Sequence, residues 1–201
     1  YFRHGSDVYV NQFIASTLDW KEEGFSIEQT TRFPEEQGTT LKIKATRPGI
    51  RTIHVRIPGW TTGDADIKIN GHSLEAVSDP GSYTAIRRAW KDGDTIGVSL
   101  PMTLRQELLP GNDSVVAALY GPLVLAADLG AGPADGPMRI VHGRPTTPAS
   151  LPAADPLPKV VAGPDVKTDQ WVQAESKSEM RFSVAGEGKK YDVMPMYRIR
   201  D

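Results

Sequence analysis

Apolar and polar residues alternate one by one through much of the first two-thirds of this chain. Leu41, Ile43 and Ala45 alternate with Lys42 and Lys44. The same alternation recurs at residues 53–57, 67–69 and 96–100. A period of two places the apolar side chains on one face of an extended segment and the polar ones on the other, which is typical of half-buried β-strands.

No long segment of the chain has the 3.6-residue period of an amphipathic helix. Residues 21–24 are the only stretch with mild helical character, and they are few. We therefore predict an all-β fold: an antiparallel β-sandwich, followed by a proline-rich arm and a short, partial C-terminal β region.

Turn residues separate the alternating segments. Asn70-Gly71 lies between residues 67–69 and 73–77, and an Asn-Gly pair tolerates the positive φ angles of a tight hairpin. Asp92-Gly93 lies between Trp90 and Thr95, which predicts a second hairpin.

The composition changes after residue 128. Residues 130–165 hold eight of the 16 prolines, and proline lacks the amide donor that an interior strand needs. We predict a β-sandwich domain over 1–129, a linker or arm over 130–165, and a small, partial β segment over 166–201. The apolar segments 180–184 and 193–197 belong either to a second small domain or to the edges of the first sandwich.

Charge and composition exclude several classes of protein. The 23 Lys and Arg residues against 25 Asp and Glu leave a net charge of −2, which argues against a nucleic-acid partner. The chain has no cysteine, and its longest apolar run, 115–127, is interrupted by Gly121-Pro122. The first excludes a disulfide framework, a thiolate metal site and a cysteine nucleophile in this chain, and the second argues against a membrane span. Cytoplasmic, periplasmic and secreted locations all remain compatible.

No residue pattern in the chain indicates a catalytic or metal-binding site. Paired carboxylates that could serve glycoside hydrolysis occur at Glu22-Glu23, at Glu35-Glu36 and at Asp64 with Asp66. Acidic turns that could bind calcium occur at 92–94 and 63–66. The histidines are His4, His54, His72 and His142. None of these groups has the spacing of a known ligand set, so we predict solvated turn carboxylates, a solvent-facing His54, and no catalytic or metal-binding residue.

The four tryptophans are the candidate ligand contacts. Trp20, Trp60, Trp90 and Trp171 are spread through the chain, and an exposed indole beside polar groups is a suitable platform for a sugar ring. For Trp60 and Trp90, which adjoin turns, the favoured interpretation is that they fill the ends of the sandwich core, because large aromatic side chains are usually mostly buried.

An ordered set of short segments carries a family resemblance. The segments are residues 7–14 (DVYVNQFI), 27–34 (IEQTTRFP), 55–60 (VRIPGW), 67–71 (IKING), 90–94 (WKDGD), 100–102 (LPM) and 117–126 (AALYGPLVLA). In this order and spacing, the chain resembles the C-terminal β-sandwich region of glycoside hydrolase family 127, the β-L-arabinofuranosidase family. The resemblance covers about residues 1–129, and residues 194–201 (MPMYRIRD) are similar to a small extra C-terminal region of some members.

The resemblance implies a bacterial carbohydrate enzyme with an (α/α)6 barrel followed by β-sandwiches. It implies a retaining mechanism, with a zinc-bound cysteine as nucleophile and a glutamate as acid/base. Because this chain has no cysteine, neither residue set can be placed on it, and the zinc is implied for the missing barrel only. The family's paired cysteines precede the segment matching 7–14, so we expect this chain to begin just downstream of the chemistry.

Two functions remain open at this point. The first is a non-catalytic domain that packs against the missing barrel of the same polypeptide and that could supply a dimer surface. The second is a carbohydrate-binding module that holds arabinose-rich, plant-type glycans through exposed tryptophans. The exposure of Trp20, Trp60, Trp90 and Trp171 distinguishes them.

Overall fold

The computed structural model describes residues 1–47, 49–62, 65–127, 165–186, 188 and 190–199. Almost all regular structure in these ranges is β-strand, which confirms the all-β prediction. The longest helix described, α1 (Thr168–Trp171), has four residues, so no described helix is long enough to cross a membrane. The chain divides into two compact units, Tyr1–Thr103 and Leu104–Asp201.

The first unit contains ten strands and one 3₁₀ turn. The strands are β1 (Phe2–His4), β2 (Asp7–Val10), β3 (Ser16–Trp20), β4 (Phe25–Thr30), β5 (Gly38–Ala45), β6 (Gly49–Ile57), β7 (Asp66–Ile69), β8 (His72–Ser73), β9 (Ser82–Trp90) and β10 (Thr95–Ser99). The 3₁₀ turn, Lys21–Glu23, falls where the sequence indicated helical character.

These strands form two sheets. One is four-stranded in the order β1-β2-β6-β9, and the other is six-stranded in the order β3-β4-β5-β10-β7-β8. All pairs are antiparallel except β2 with β6, which run parallel. The antiparallel β-sandwich predicted from the sequence is therefore confirmed, with this one parallel pair in the first unit as described. The residues between β2 and β6 form three strands of the other sheet, and a crossover of this length permits a parallel return.

The two sheets of the first unit share one apolar core. It is built from the inward residue of each alternating pair, such as Leu41 and Ile43 from β5 and Ile53 and Val55 from β6, all fully buried. Trp90 closes the core, with its indole N–H donating to the carbonyl oxygen of Arg51 over 3.1 Å. Residues that alternate in the sequence thus alternate between facing the core and facing away from it.

The Asn70-Gly71 hairpin forms as predicted. Ile69 pairs with His72, and Asn70 and Gly71 have φ angles of 51° and 84°. The following strand is shorter than predicted, since β8 covers only His72–Ser73.

The turn at Asp92-Gly93 is not a hairpin, contrary to the sequence prediction. It follows β9 in the four-stranded sheet and precedes β10 in the six-stranded sheet, so it is an arch between the two sheets. Gly93 still needs its positive φ of 84°, which is why the same dipeptide occurs at both kinds of turn.

Asp94 joins this arch to the Asn70 hairpin. Its carboxylate accepts hydrogen bonds from the Lys91 amide and the Asn70 side-chain amide, each over 2.9 Å. Burial alone would raise the pKa of Asp94, but these hydrogen bonds, together with the nearby Arg88 and Lys91, lower it below its ordinary value. Asn70 also accepts from the Thr95 amide over 2.8 Å.

The second unit is built around a six-stranded sheet in the order β11-β12-β13-β16-β15-β14. Its strands are β11 (Leu104–Leu109), β12 (Asn112–Tyr120), β13 (Leu123–Ala127), β14 (Val172–Ser176), β15 (Arg181–Ala185) and β16 (Lys190–Pro195). A 3₁₀ turn covers Met196–Arg198.

The second unit combines segments from both sides of the proline-rich stretch. Leu125 of β13 pairs with Pro195 of β16, so the C-terminal strands complete a sheet that begins at Leu104. The units therefore divide at 103/104, earlier than the composition change used to place a boundary at 129. The composition marks the proline-rich stretch, not the change of sheet. Residues 128–164, almost all of the predicted arm over 130–165, lie outside the described residues.

Candidate interaction face

The outward face of the four-stranded sheet of the first unit carries a row of aromatic side chains. Phe2 of β1 lies opposite Tyr9 of β2, and Tyr9 lies opposite His54 of β6. His54 in turn lies opposite Ala85 of β9. The neighbours of these residues along β2, β6 and β9 are buried in the sandwich core, so the row is on the opposite side of the sheet. We call the surface formed by Phe2, Tyr9, Ile50, His54, Tyr83 and Ala85 the aromatic face.

The rings of the aromatic face contact one another in fixed geometries. Tyr9 stacks on His54 with centroids 4.2 Å apart and an interplanar angle of 4°. Phe2 and Tyr83 meet Tyr9 edge-on, at 6.1 Å and 5.6 Å. Edge-on and offset-stacked pairs are the favourable arrangements of aromatic rings, so the cluster is held together without a covering layer.

Hydrogen bonds to polar side chains hold two members of the cluster, His54 and Tyr83. Asp7 lies 3.2 Å from Nε2 of His54, and Tyr83 donates its hydroxyl proton to the Asn11 side-chain oxygen over 2.9 Å. The hydrogen bond from His54 lowers the pKa of Asp7 below its ordinary value, and the bonds from Thr52 and Ser6 act in the same direction.

The outward face of the six-stranded sheet is entirely different. We call it the polar face; its outward residues on the central strands are Ser26, Glu28, Thr30, Thr40, Lys42, Lys44, Asp66, Lys68, Thr95, Gly97 and Ser99. Lys44 and Glu28 approach within 3.9 Å across two neighbouring strands, and both side chains are about half exposed. This is the composition of a solvated sheet surface.

A shallow pocket lies beside the carboxyl ends of β2 and β6. Phe33 and Trp60 stack there with centroids 6.0 Å apart, and Phe13 meets Phe33 edge-on at 6.0 Å. Ile14 and Arg56 also line the pocket.

Three of the four candidate tryptophans are buried, among them Trp90, for which the favoured interpretation predicted burial. Trp20, Trp90 and Trp171 expose 8%, 1% and 6% of their surface, which leaves no open ring face for stacking a sugar. Trp171 belongs to the second unit, where its indole N–H donates to Gln106 over 2.8 Å. Trp60 is half-buried in the pocket described above. The four do not come together at one site.

Two arginine side chains contact the ring of the buried Trp20. The guanidinium groups of Arg3 and Arg51 lie 4.3 Å and 5.9 Å from its ring centroid. Arg51 is only 6% exposed, and its Nη2 donates to the Glu23 carboxylate over 2.9 Å. Glu23, one of the paired carboxylates considered above, is therefore engaged by a buried arginine.

The remaining carboxylate candidates also have structural partners or lie at the surface. Glu36 forms an ion pair with Arg32, and Asp66 forms one with Lys68. In the acidic turn 92–94, Asp92 accepts from the Ala45 amide over 3.1 Å. Asp64 and His142 lie outside the described residues.

The described residues offer no site that fits the zinc implied by the resemblance. Within those ranges, no group of three or more His, Cys, Asp or Glu side chains could hold a metal ion, and the chain has no cysteine at all. No chemical step through zinc is assigned to these residues.

Sequence reasoning missed the aromatic face. His54 was expected only to face solvent, yet its side chain is 18% exposed and lies between Tyr9 and Asp7. The available signal was the spacing of Asp7 and Tyr9, two residues apart on one face of β2. Their partner strand could not be identified, because a parallel pair has no local turn to reveal it.

Comparison with known sequences identifies the first unit. Residues 7–102 match the family model described as "Beta-L-arabinofuranosidase, GH127 middle domain". The non-reducing end β-L-arabinofuranosidase of Bifidobacterium longum subsp. longum is 30% identical over 141 residues, which is 65% of this chain and 21% of that enzyme. The chain thus spans about a fifth of the length of this curated relative.

Solved structures agree. The crystal structure of a GH127 β-L-arabinofuranosidase from Geobacillus stearothermophilus T6 is 26% identical, with a TM-score of 0.57 over 66% of this chain and 22% of that one. A structure described as a GH127 β-arabinofuranosidase covers 96% of this chain and 32% of its own, with a TM-score of 0.59; at 20% identity it supports the fold alone.

The resemblance stated from the sequence is therefore confirmed, with one refinement: the matching region is a middle domain. The comparisons support a fragment of a glycoside hydrolase family 127 protein, in which residues 7–102 match the middle domain of that family.

Proposed function

We propose that this chain is a non-catalytic accessory part of a longer glycoside hydrolase that acts on β-L-arabinofuranosides. The observation that carries the proposal is the match of 7–102 to a middle domain in a family named for that activity. The two relatives whose names print this activity are between four and five times longer than the stretch they share with the chain.

The chemistry of the described residues supports a non-catalytic role. A glycosidase needs two groups flanking the scissile bond, one of them with an adjusted pKa. Hydrogen bonds and nearby cations lower the pKa values of Asp7, Asp94 and Glu175 below the ordinary values of these carboxyl groups. A lowered pKa makes a carboxyl group a poorer proton donor near neutrality.

The nucleophile and the zinc of the longer enzyme would lie in its catalytic domain. The resemblance implies a thiolate nucleophile, which this chain cannot supply. The role left for the chain is structural: it would pack against the catalytic domain and stabilise the active form of that domain. The binding-module alternative gains no support, since three of its four tryptophans are buried.

Activity measurements on two proteins test the proposal. The longer polypeptide that contains this chain and the 201-residue chain alone are each incubated with a chromogenic β-L-arabinofuranoside. We expect turnover by the longer polypeptide and none by the chain at equal molar concentration.

A matched control guards against contaminating enzyme. The chain carrying Glu22→Gln and Glu23→Gln should give the same background as the unaltered chain. Turnover by the unaltered chain that the double variant loses would contradict a non-catalytic role. An inactive longer polypeptide would contradict the assigned activity.

A further inference from the structure

We propose that the aromatic face is the surface through which this domain docks onto the catalytic domain of its own polypeptide. The partner surface would be apolar at its centre and would carry carboxylates at its rim. This inference rests on the proposed function, because it assumes a catalytic domain in the same polypeptide.

The exposure of the aromatic face is the first argument. Phe2, Ile50 and Tyr83 are 62%, 57% and 39% exposed, and all three lie on the outward side of the same four-stranded sheet. The polar face has no large apolar side chain among the outward residues of its central strands. Large apolar side chains exposed on one side of a sandwich, and absent from the central strands of the other side, indicate an interaction site.

The rigidity of the cluster is the second argument. The Tyr9 ring is stacked on His54, His54 is hydrogen-bonded to Asp7, and Tyr83 is hydrogen-bonded to Asn11. Side chains already held in one conformation lose little entropy when a partner covers them. Tyrosines fixed in this way are typical of the residues that dominate interface free energy.

The charge around the aromatic face indicates the chemistry of the partner. Arg56 and Arg87 point outward from β6 and β9, and neither forms an ion pair within the described part of the chain. Asp7, the acidic group of this face, is already engaged by His54. The uncompensated charge is therefore positive, and carboxylates opposite Arg56 and Arg87 would complement it.

The same charges argue against a second copy of this chain. A two-fold interface places the same patch on both partners, so the positive charge of Arg56 and Arg87 would face a patch of the same charge. The flanking polypeptide is the better occupant for a second reason: about four-fifths of the length of the relative from Bifidobacterium longum lies outside its match to this chain.

Thermal unfolding of two proteins with the same substitutions tests the inference. The substitutions Phe2→Glu and Tyr83→Glu are made together, in the longer polypeptide and in the 201-residue chain. Both side chains are partly exposed in the chain itself, where they lose only their contacts with Tyr9 and Asn11, so its unfolding midpoint should shift less than that of the longer polypeptide. In the longer polypeptide we expect the midpoint to fall by several degrees, or the single transition to split in two.

Matched variants on the polar face provide the control. Thr40→Glu together with Lys42→Glu introduces acidic groups on an exposed strand surface, and residue 42 lies opposite Glu28, so we expect a small loss that is the same in both proteins. Equal effects of the two double variants in the longer polypeptide would overturn the inference. An active longer polypeptide with no loss on the aromatic face would overturn the docking surface while leaving the proposed function intact.

Two further measurements distinguish other occupants. If the chain sediments as a dimer that Phe2→Glu with Tyr83→Glu converts to a monomer, the occupant is a second copy and the inference fails. It also fails if arabinan oligosaccharide changes the tyrosine fluorescence of the unaltered chain but not that of the double variant. An unchanged spectrum and a monomeric chain, together with the midpoint loss above, support it.

Discussion

The two outward faces of the first unit follow the same alternation in the sequence but present opposite chemistry. Most inward residues of both sheets are aliphatic or aromatic and buried, as with Ile43 of β5 and Ile53 of β6. Outward, β5 presents Thr40, Lys42 and Lys44 to solvent, whereas the four-stranded sheet presents Phe2, Tyr9, His54 and Tyr83. The inside of a sandwich is determined by folding, but its outside is free to differ, and the difference indicates where a partner binds.

The largest expected effect concerns the apolar core, to which both sheets contribute buried side chains. Ile43→Ala and Ile53→Ala each remove a fully buried side chain from the shared core. Each should lower the free energy of unfolding by about 2–5 kcal/mol, measured by urea denaturation. Ile→Val at the same positions is the control and should cost about 1 kcal/mol. A cost near zero at only one of the two sites would show that the core is not shared.

The next effect concerns Arg51, a buried cation at the end of the core. Glu23→Ala leaves the Arg51 guanidinium buried without its carboxylate and should cost about 2 kcal/mol of unfolding free energy. Arg51→Met replaces the charge by an apolar side chain of similar length and should cost less. Urea denaturation of the two variants compares their free energies of unfolding. A larger loss for Arg51→Met than for Glu23→Ala would contradict this prediction.

A smaller effect is expected where the arch joins the two sheets. Asn70→Ala removes the hydrogen bonds to Asp94 and Thr95 and forces alanine into a positive φ, at a cost of about 1–2 kcal/mol. Asn70→Gly keeps the backbone conformation and loses only the hydrogen bonds, so it should cost less. Equal thermal midpoints for the two variants would exclude a conformational contribution.

The aromatic face should also respond to pH through Asp7. Because the folded-state pKa of Asp7 is lowered, its contribution to stability is present above its ordinary pKa and is lost as the pH falls through the folded value. Asp7→Asn should therefore lower the unfolding midpoint slightly at pH 6, and the difference from the unaltered chain should shrink toward pH 2. A difference that grows on acidification would contradict this assignment.

The smallest effect is expected on the polar face. Lys42→Ala removes an exposed side chain with no ion pair among the described residues. It should change the free energy of unfolding by less than about 0.5 kcal/mol in the chain and in the longer polypeptide alike. A clear loss confined to the longer polypeptide would place a partner on the polar face.

Sequence patterns predicted the features that depend on neighbouring residues. Alternation located the main strands, Asn70-Gly71 located a hairpin, and residues 21–24 located the 3₁₀ turn. The same local information could not separate a hairpin from an arch at Asp92-Gly93, because both require a glycine with positive φ. Which sheet the next strand joins depends on distant partners.

The candidate site was less predictable than the fold for the same reason. The aromatic face combines Phe2 and Tyr9 with His54 and Tyr83, which are far apart in sequence and are brought together by the β2–β6 and β6–β9 pairs. Single tryptophans were visible in the sequence, but burial of three of them removed the platform they were considered for. A cluster defined by strand register cannot be found until the register is known.

The parallel pairing of β2 with β6 has a consequence for the order in which the molecule forms. Strands β3, β4 and β5 follow one another and pair with their neighbours in the chain, so they can assemble early from local contacts. Val8 instead has to find Ile53 after the whole meander has been made, and such non-local contacts slow folding. We expect the β3-β4-β5 part of the polar face to form before the aromatic face, so the docking surface would appear late in folding.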